Sequence, residues 1–563
     1  MSYTDWIVLI ATLSAMIGYG MHKGKGQTGA GSYLLADRQM PWYVVLLGVM
    51  ATQASAITFL SAPGLAYTDG MRFLQNYFGL PLAMVVICVT FIPVFSRLKV
   101  YTAYEYLEQR FDRRTRLLTS FLFLLSRGLS TGVSIYAPAI ILSSVLGWNI
   151  YITNVFMGGL LMLYTYSGGA KAVAHTQKLQ FIIILGAMAL AGYLVVHRLP
   201  EGIGMSDALY IAGKSGRLNV ITTDFSWRDK YNIWSGVIGG FFLSLSYFGT
   251  DNSQVGRYIN ARDTSQSRMG LLLNGLVKIP MQFFILLIGA LVFVFYSFQS
   301  APLYFNTTAY DVYTRYEPKN AIANSELHTQ LNKQHQQQAV AITQLRKENK
   351  TTELPQTINN FKQTQQQIQL LRDSVARHLD RKHYTPDTSD TNYIFLYFVR
   401  NSLPVGVVGL LFAVIILASW GSISAALNSL AASSLIDIHL LDNKKDEKTE
   451  LRLGRMHTLG WGVFCIGVAM FAAKMGSLIE AVNILGSLFY GTILGIFLVA
   501  FYIKSVNGKT VFIAAIITEV AVVAIYMFDI VSFLWLNVIG ALLLMLLCYI
   551  IDIRKITCPS KSD

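Results

Sequence analysis

Charge is what this chain has least of. Only 13% of its 563 residues are Asp, Glu, Lys or Arg, against ~25% in a typical soluble protein, and that leaves too little solubilising surface for an ordinary soluble enzyme. Cysteine is nearly absent. Of the four, Cys88, Cys465 and Cys548 fall inside apolar runs and Cys558 lies in the basic tail, which gives neither a disulfide framework nor metal-ligand spacing. The nine histidines are scattered. With no nucleophile elbow and no phosphate-binding glycine loop, nothing in the sequence argues for catalysis. The apolar stretch from Asp5 to Gly20 lacks a basic segment before it and a small-residue cleavage site after it, so it reads as a retained helix.

Apolar length is what the chain has in abundance. Runs of about 18 mainly apolar residues suffice to cross a bilayer. Thirteen occur, near 4–21, 42–67, 74–96, 117–146, 150–169, 177–197, 232–254, 269–298, 404–436, 456–473, 477–503, 509–528 and 532–553. The chain therefore reads as an all-α polytopic membrane protein with about thirteen transmembrane helices. Alternate connections starting at 22–40 carry 24 Lys or Arg and the opposite short connections carry 7. The positive-inside rule then places the N-terminus outside and the C-terminus inside, in a plasma (inner) membrane. The net charge of +14 is mostly this loop bias at helix ends, which excludes a nucleic-acid partner.

Residues 301–392 break the pattern. They are polar, Gln-rich from His328 to Arg372, and fall on the outer side. Leu327, Leu331, Ile342 and Leu345, then Ile358, Phe361, Ile368, Val375 and Leu379, recur near helical spacing around Glu353-Leu354-Pro355, which predicts a two-helix hairpin. Two roles stay open for it: a cap or partner-binding element, and a sensing module.

Irregular backbone inside a bilayer is tolerated only where it is buried or lines a cavity, so interrupted helices point to a site. The second span collects small and hydroxyl residues from Met50 to Ser61 before Pro63-Gly64. The seventh is interrupted between Gly236 and Asp251. Two such helices five spans apart suggest a five-helix inverted repeat, spans two to six and seven to eleven. The organisation is then an extra helix and cytoplasmic loop over 1–41, a first repeat over 42–200, an extracellular loop over 201–231, a second repeat over 232–300 and 393–503, the insert 301–392, and two C-terminal helices with a tail over 504–563. In the ninth span Ser419, Ser422 and Ser424 offer hard oxygens suited to Na⁺, or simply small residues for close helix packing. Arg127 and Lys278 are costly at membrane depth and must face the interior. For Arg127 a structural partner and an anionic substrate both stay open. Lys278, read as nearer the cytoplasmic end, is assigned to gate structure, and His175 to the surface.

Ser55-Ala56-Ile57-Thr58-Phe59, Ala66-Tyr67-Thr68 and the run Thr102 to Asp112 resemble the bacterial sodium/sialic acid symporters. Gly132-Val133-Ser134-Ile135-Tyr136-Ala137-Pro138-Ala139 resembles the sodium-coupled monocarboxylate, iodide and multivitamin branch. By these motifs the chain resembles the sodium:solute symporter family over about 30–300 and 400–503. The resemblance implies a leucine-transporter-type core working by alternating access, Na⁺ as coupling ion and no organic cofactor. It implies a Na⁺ site at the carbonyls of Ala51, Ala54 and Ala418 and the hydroxyl of Ser422, with Gly421 where the family has a second serine. It implies solute contacts at Gln53, Thr58, Tyr77, Ser244 and Asn483, with Tyr247 as an inner gate beneath them and Arg127 as the anion-binding candidate. A second sodium site is altered: Gln177 replaces an aspartate, Gly421 and Ala425 lack hydroxyls, and Ser424 remains, so one coupled Na⁺ is expected. The expected function is uptake of a small organic solute, an anion such as a carboxylate or sialic acid. The rival readings are a sensor or partner-binding membrane protein on the same fold, a channel, or a sugar or amino-acid symporter.

Overall fold

The computed structural model describes residues 1–24, 40–98, 102–350, 352–382, 387–441 and 445–557. Residues 25–39 of the expected loop 22–40 and most of the tail 554–563 lie outside the described residues, as do the side chains of His175 and Lys178. Apart from one bridge between Met40 and Ala261, all regular structure among the described residues is helical. The chain runs through α1 (Tyr3–Gly24), α2 (Trp42–Gln53), α3 (Ala56–Asp69), a helical stretch from Leu80 to Leu98 with a π turn at Ile87–Phe91, α4 (Arg113–Leu146) and α5 (Ile150–His197). Next come α6 (Gly240–Thr250), α7 (Thr264–Phe298), the hairpin α8 (Pro318–Lys347) and α9 (Leu354–Lys382), α10 (Val407–Ser433), α11 (Glu447–Ala469), α12 (Leu478–Tyr502), α13 (Gly508–Met527) and α14 (Phe533–Thr557).

Helix covers each of the thirteen apolar runs, but only eight stretches among the described residues are both long and apolar enough to cross a membrane, with three shorter apolar helices beside them. Breaks and terminal charges account for the difference. Starts are set by side-chain caps: Asp112, Asp263, Asp446 and Asn507 accept the N–H of Thr115, Gln266, Thr449 and Thr510 at the heads of α4, α7, α11 and α13. All four caps fall in the Lys/Arg-rich connections.

The expected break between the fifth and sixth spans has a different appearance. Helical backbone continues over Ile150–His197, which in a straight helix would measure about 72 Å. Yet the Tyr164 and Thr176 hydroxyls are 3.2 Å apart, whereas twelve residues of straight helix separate them by about 18 Å. Thr165 and Gln177 likewise reach Ser424 and Gly421, only three residues apart on α10. The chain therefore folds back between Thr165 and Thr176, and two spans result.

Outward faces carry apolar stripes, such as Leu82, Val85 and Val89, or Ile513, Ile516, Ile517 and Val520, all exposed. A soluble monomer does not present such rows to water, and they suit lipid. α10 is the opposite case. Nearly every side chain from Val408 to Ser433 is buried, which makes it the central strut.

The hairpin prediction holds in outline, with one correction. Ile342, Phe361, Ile368, Val375 and Leu379 are buried as expected, but Leu327 is exposed, and α8 buries His328, Asn332, His335 and Ala339. Over the first half of α8 the buried stripe lies one residue along from the apolar one because that face packs on polar groups of the core: Asn332 donates to Ala301, and further along Arg346 donates to Ser206 and Asp207.

Candidate solute and cation sites

α2 stops at Gln53 because Ala54 and Ser55 leave helical geometry, with ψ of 70° and 169°. In an unbroken helix the Ser55 N–H would go to Ala51; here it is donated to the Gln53 carbonyl at 2.9 Å. The Ala51 carbonyl thus loses its helical partner and becomes available to a ligand. The Gln53 amide is fixed from α7, donating to Asn274 Oδ1 at 3.1 Å.

A second broken helix faces the first. It comprises a π turn at Ser235–Gly239, then α6, an extended Asp251 (ψ 115°) and a short helix Asn252–Tyr258. Gly236 and Gly240 let it lie directly on the 70–77 segment, since a Cβ on either would collide with the carbonyl oxygen of Gln75 or Asn76.

Between these elements lies a cavity of about 130 Å³. Gln53 and Thr58 line it at the first break, Tyr77 and Arg127 from the side, Ser244 and Tyr247 from α6 and Asn483 from α12. The seven expected solute-pocket side chains thus surround one space. Asn76 and Tyr490 also line it and were not anticipated, since one polar residue in an apolar helix does not reveal which way it points.

Lys278, assigned to gate structure, lines this same cavity, with Nζ 5.4 Å from the Tyr77 ring centre and 1% exposure. α7 begins at Thr264, five residues earlier than the apolar run suggested, so Lys278 lies about 21 Å along it. No carboxylate among the described residues pairs with it.

Arg127 has a structural partner and also lines the cavity. Its Nη1 is 3.8 Å from Asp251 Oδ2, an oxygen that also accepts the Tyr490 hydroxyl at 2.9 Å. Its Nε is buried without a partner, and its guanidinium carbon is 5.8 Å from the Tyr247 ring centre. Asp251 therefore positions the guanidinium without covering it. Gln254 in turn donates to the Tyr247 hydroxyl at 2.7 Å, and Asn252 to Ser433 at 3.1 Å, as a network below the cavity.

Arg127, Gln53, Ser55 and Tyr247 also line an adjoining cavity of about 80 Å³, where Thr52, Ser130, Thr131, Ser134 and Ser422 add hydroxyls. Ala51, Ala54 and Ala418 do not line that space, although the Ser422 hydroxyl reaches the Ala418 carbonyl at 3.0 Å. Neutral oxygens of this kind suit an alkali cation rather than a transition metal.

The altered second site is filled by protein. Gln177, fully buried, donates its amide to the Gly421 carbonyl at 2.9 Å and lies 3.5 Å from the Thr52 hydroxyl, while its own Oε1 has no partner. Ser424 is taken up by Thr165 at 2.8 Å, and Ala425 is buried.

The chain matches the sodium:solute symporter family profile over residues 33–331 and 367–518. It is 24% identical over 550 residues to a sodium/sialic acid symporter of Aliivibrio fischeri, covering 97% of this chain and 92% of that protein. It is 34% identical over 281 residues to sodium-coupled monocarboxylate transporter 1 of Xenopus laevis, covering 48% of this chain and 44% of that one, so it spans less than half the length of that relative. The solved structure of a Na⁺-coupled sialic acid symporter, substrate-bound and outward-open, superposes with a TM-score of 0.75 at 22% identity over 98% of both chains, and so shares the fold. Matched by the profile over most of its length, the chain belongs to the sodium:solute symporter family, whose members are transporters and not enzymes.

Proposed function

We propose that this protein is a Na⁺-coupled symporter that takes up a small monocarboxylate by alternating access, one Na⁺ per solute. The observation that carries the solute class is the pair of cations, Arg127 and Lys278, on one 130 Å³ cavity that no carboxylate lines. Asp251 beside Arg127 offsets one of these two charges, and a monoanion would offset the other, which is otherwise costly to bury. Size narrows the class. A cavity of ~150 Å³ takes benzene, with about six non-hydrogen atoms, and a three-carbon keto or hydroxy acid has as many, whereas a sialic acid has about twenty.

Arg127 supplies the coupling, because it borders both the solute cavity and the hydroxyl-lined cavity at Ser422. A Na⁺ there is repelled by the guanidinium until an anion screens it, so each ligand raises the affinity of the other. Stoichiometry follows from Gln177, whose amide donors already occupy the oxygens that a second Na⁺ would need.

The thirteen-crossing arrangement, with the N-terminus and the 301–392 insert outside and the C-terminus inside, belongs to the same reading. The excess of Lys and Arg in alternate connections, 24 against 7, supports it. Uptake of labelled lactate, pyruvate and sialic acid into proteoliposomes tests the function. Saturable, Na⁺-gradient-driven uptake of the three-carbon acids is expected, with little competition from sialic acid; preference for sialic acid would overturn the size argument.

A further inference from the structure

The hairpin sits on the core over a small cavity of about 30 Å³, bounded by α3, α7, α8, α9 and Arg217 of the 201–231 connection. Its charge is one-sided: Arg217 and Arg372 line it, and no carboxylate does. Arg372, 6% exposed, donates to the Leu303 and Pro302 carbonyls at 3.2 and 3.0 Å and to the Tyr67 hydroxyl at 3.3 Å. Arg217 donates to the Thr68 carbonyl, while its Nε is buried without a partner.

His335, 4% exposed, lines the same space, stacks on Phe361 at 4.1 Å and has no partner for Nε2. Aromatic rings hold these groups close together. Phe293 lies 4.7 Å under Arg217 and contacts the Tyr67 and His335 rings at 5.5 and 6.2 Å. Burial, reinforced by Arg372 and opposed by Tyr67 and Asp69, lowers the Arg217 guanidinium to about 10. Two guanidinium groups and a buried imidazole therefore share one space whose lining holds no carboxylate.

We infer that this cavity binds one monatomic anion of chloride size between Arg217 and Arg372, and that the ion fastens the hairpin to the core. At ~10–15 Å³ per water, the space takes two or three water-sized species, enough for one chloride, which is larger than water, but too little for a three-carbon carboxylate of about six non-hydrogen atoms. It shares no lining residue with the central cavity, so its ion is not the transported solute.

The test is thermal unfolding of the full-length purified protein in detergent, with sodium chloride titrated against sodium methanesulfonate at fixed Na⁺. The expected result is a saturable rise in the wild-type midpoint with chloride that disappears in Arg217→Gln and persists in Arg127→Gln. No rise in the wild type, an unchanged rise in Arg217→Gln, or loss of the rise in Arg127→Gln alone would overturn the assignment. Because Arg217→Gln can fail to fold, bromide-soaked crystals of the wild type give a second readout. An anomalous peak between the two guanidinium groups is expected, and an empty cavity at saturating bromide would also overturn the assignment.

Discussion

At the scale of single residues, Gln177 carries the sharpest consequence. Its amide holds the Gly421 carbonyl where a carboxylate would instead invite a cation. Gln177→Asp removes the donors and adds a charge. The Na⁺ dependence of uptake is expected to steepen toward a Hill coefficient of two, and transport of a monoanion to become electrogenic; an unchanged Hill coefficient in a folded, active variant would sink the role given to Gln177. Gly421 stands where the family has a second serine, and a Cβ there meets only glutamine side chains, the amide tip of Gln180 at 2.7 Å and the Gln177 stem at 3.3 Å. A swing of the Gln180 amide makes room, so Gly421→Ser should preserve or lower the half-saturating Na⁺ for uptake, and a raised value would refute the placement of this site. Ser422→Ala, which removes one oxygen from the neighbouring cavity, should raise the half-saturating Na⁺ about tenfold, the equivalent of one hydrogen bond to a charged group.

At the scale of elements, the hairpin gives a prediction outside the membrane. Burial, followed by the charge of Arg372, lowers His328 to about 4. His335 is lowered to about 3 by burial, with Arg372 and then Arg217 adding to it. Below the ordinary imidazole value of 6.5, the unfolded hairpin binds protons that the folded one refuses, so stability falls as pH falls from about 6.5 toward 3. Asp390, raised to about 6 by burial against the pull of Arg372 and the backbone N–H groups it accepts from, acts in the opposite sense between about 6 and 4, as does Asp387. The two histidines outweigh them, and a loss of order 2 kcal/mol at pH 5 relative to pH 7 is expected. Thermal melts in chloride-free salt at both pH values measure it. His335→Phe, which keeps the stack on Phe361, should flatten the dependence, and an equally steep profile in that variant would refute it.

Elements also mark where the sequence stopped being legible. The broken helices at Ala54 and Asp251 and the polar residues around them stand out against apolar spans, so the pocket candidates could be named. The direction in which Lys278 points, the inward turn of Asn76 and Tyr490, and the one-residue offset of the α8 stripe could not. A membrane helix is apolar toward lipid and toward its neighbours alike, so hydrophobic periodicity, which fixes the buried face of a soluble helix, carries little information about rotation. For α8 the cause is different: its inner face packs on loops and an arginine, where histidine and asparagine serve better than leucine.

For the whole molecule, one Na⁺ moving with one monoanion transfers no net charge. The ~2.3 kcal/mol that each uncompensated charge gains per 100 mV is then absent, and the solute can be concentrated only as far as the Na⁺ concentration ratio allows. Imposing a potassium diffusion potential with valinomycin should leave initial uptake rates unchanged, whereas a rate that follows the potential would indicate two Na⁺ per solute.

Gly236 and Gly240 set how any such cycle is transmitted. Backbone rests on backbone there, with no side chain between to tilt, compress or change rotamer. A movement of this stretch would therefore bear directly on Gln75 and Asn76, beside Tyr77 in the wall of the cavity. The same contact leaves no room for gradual change at these positions. Even alanine would wedge the second broken helix off the 70–77 segment, so this junction tolerates less sequence drift than the polar side chains that line the cavity.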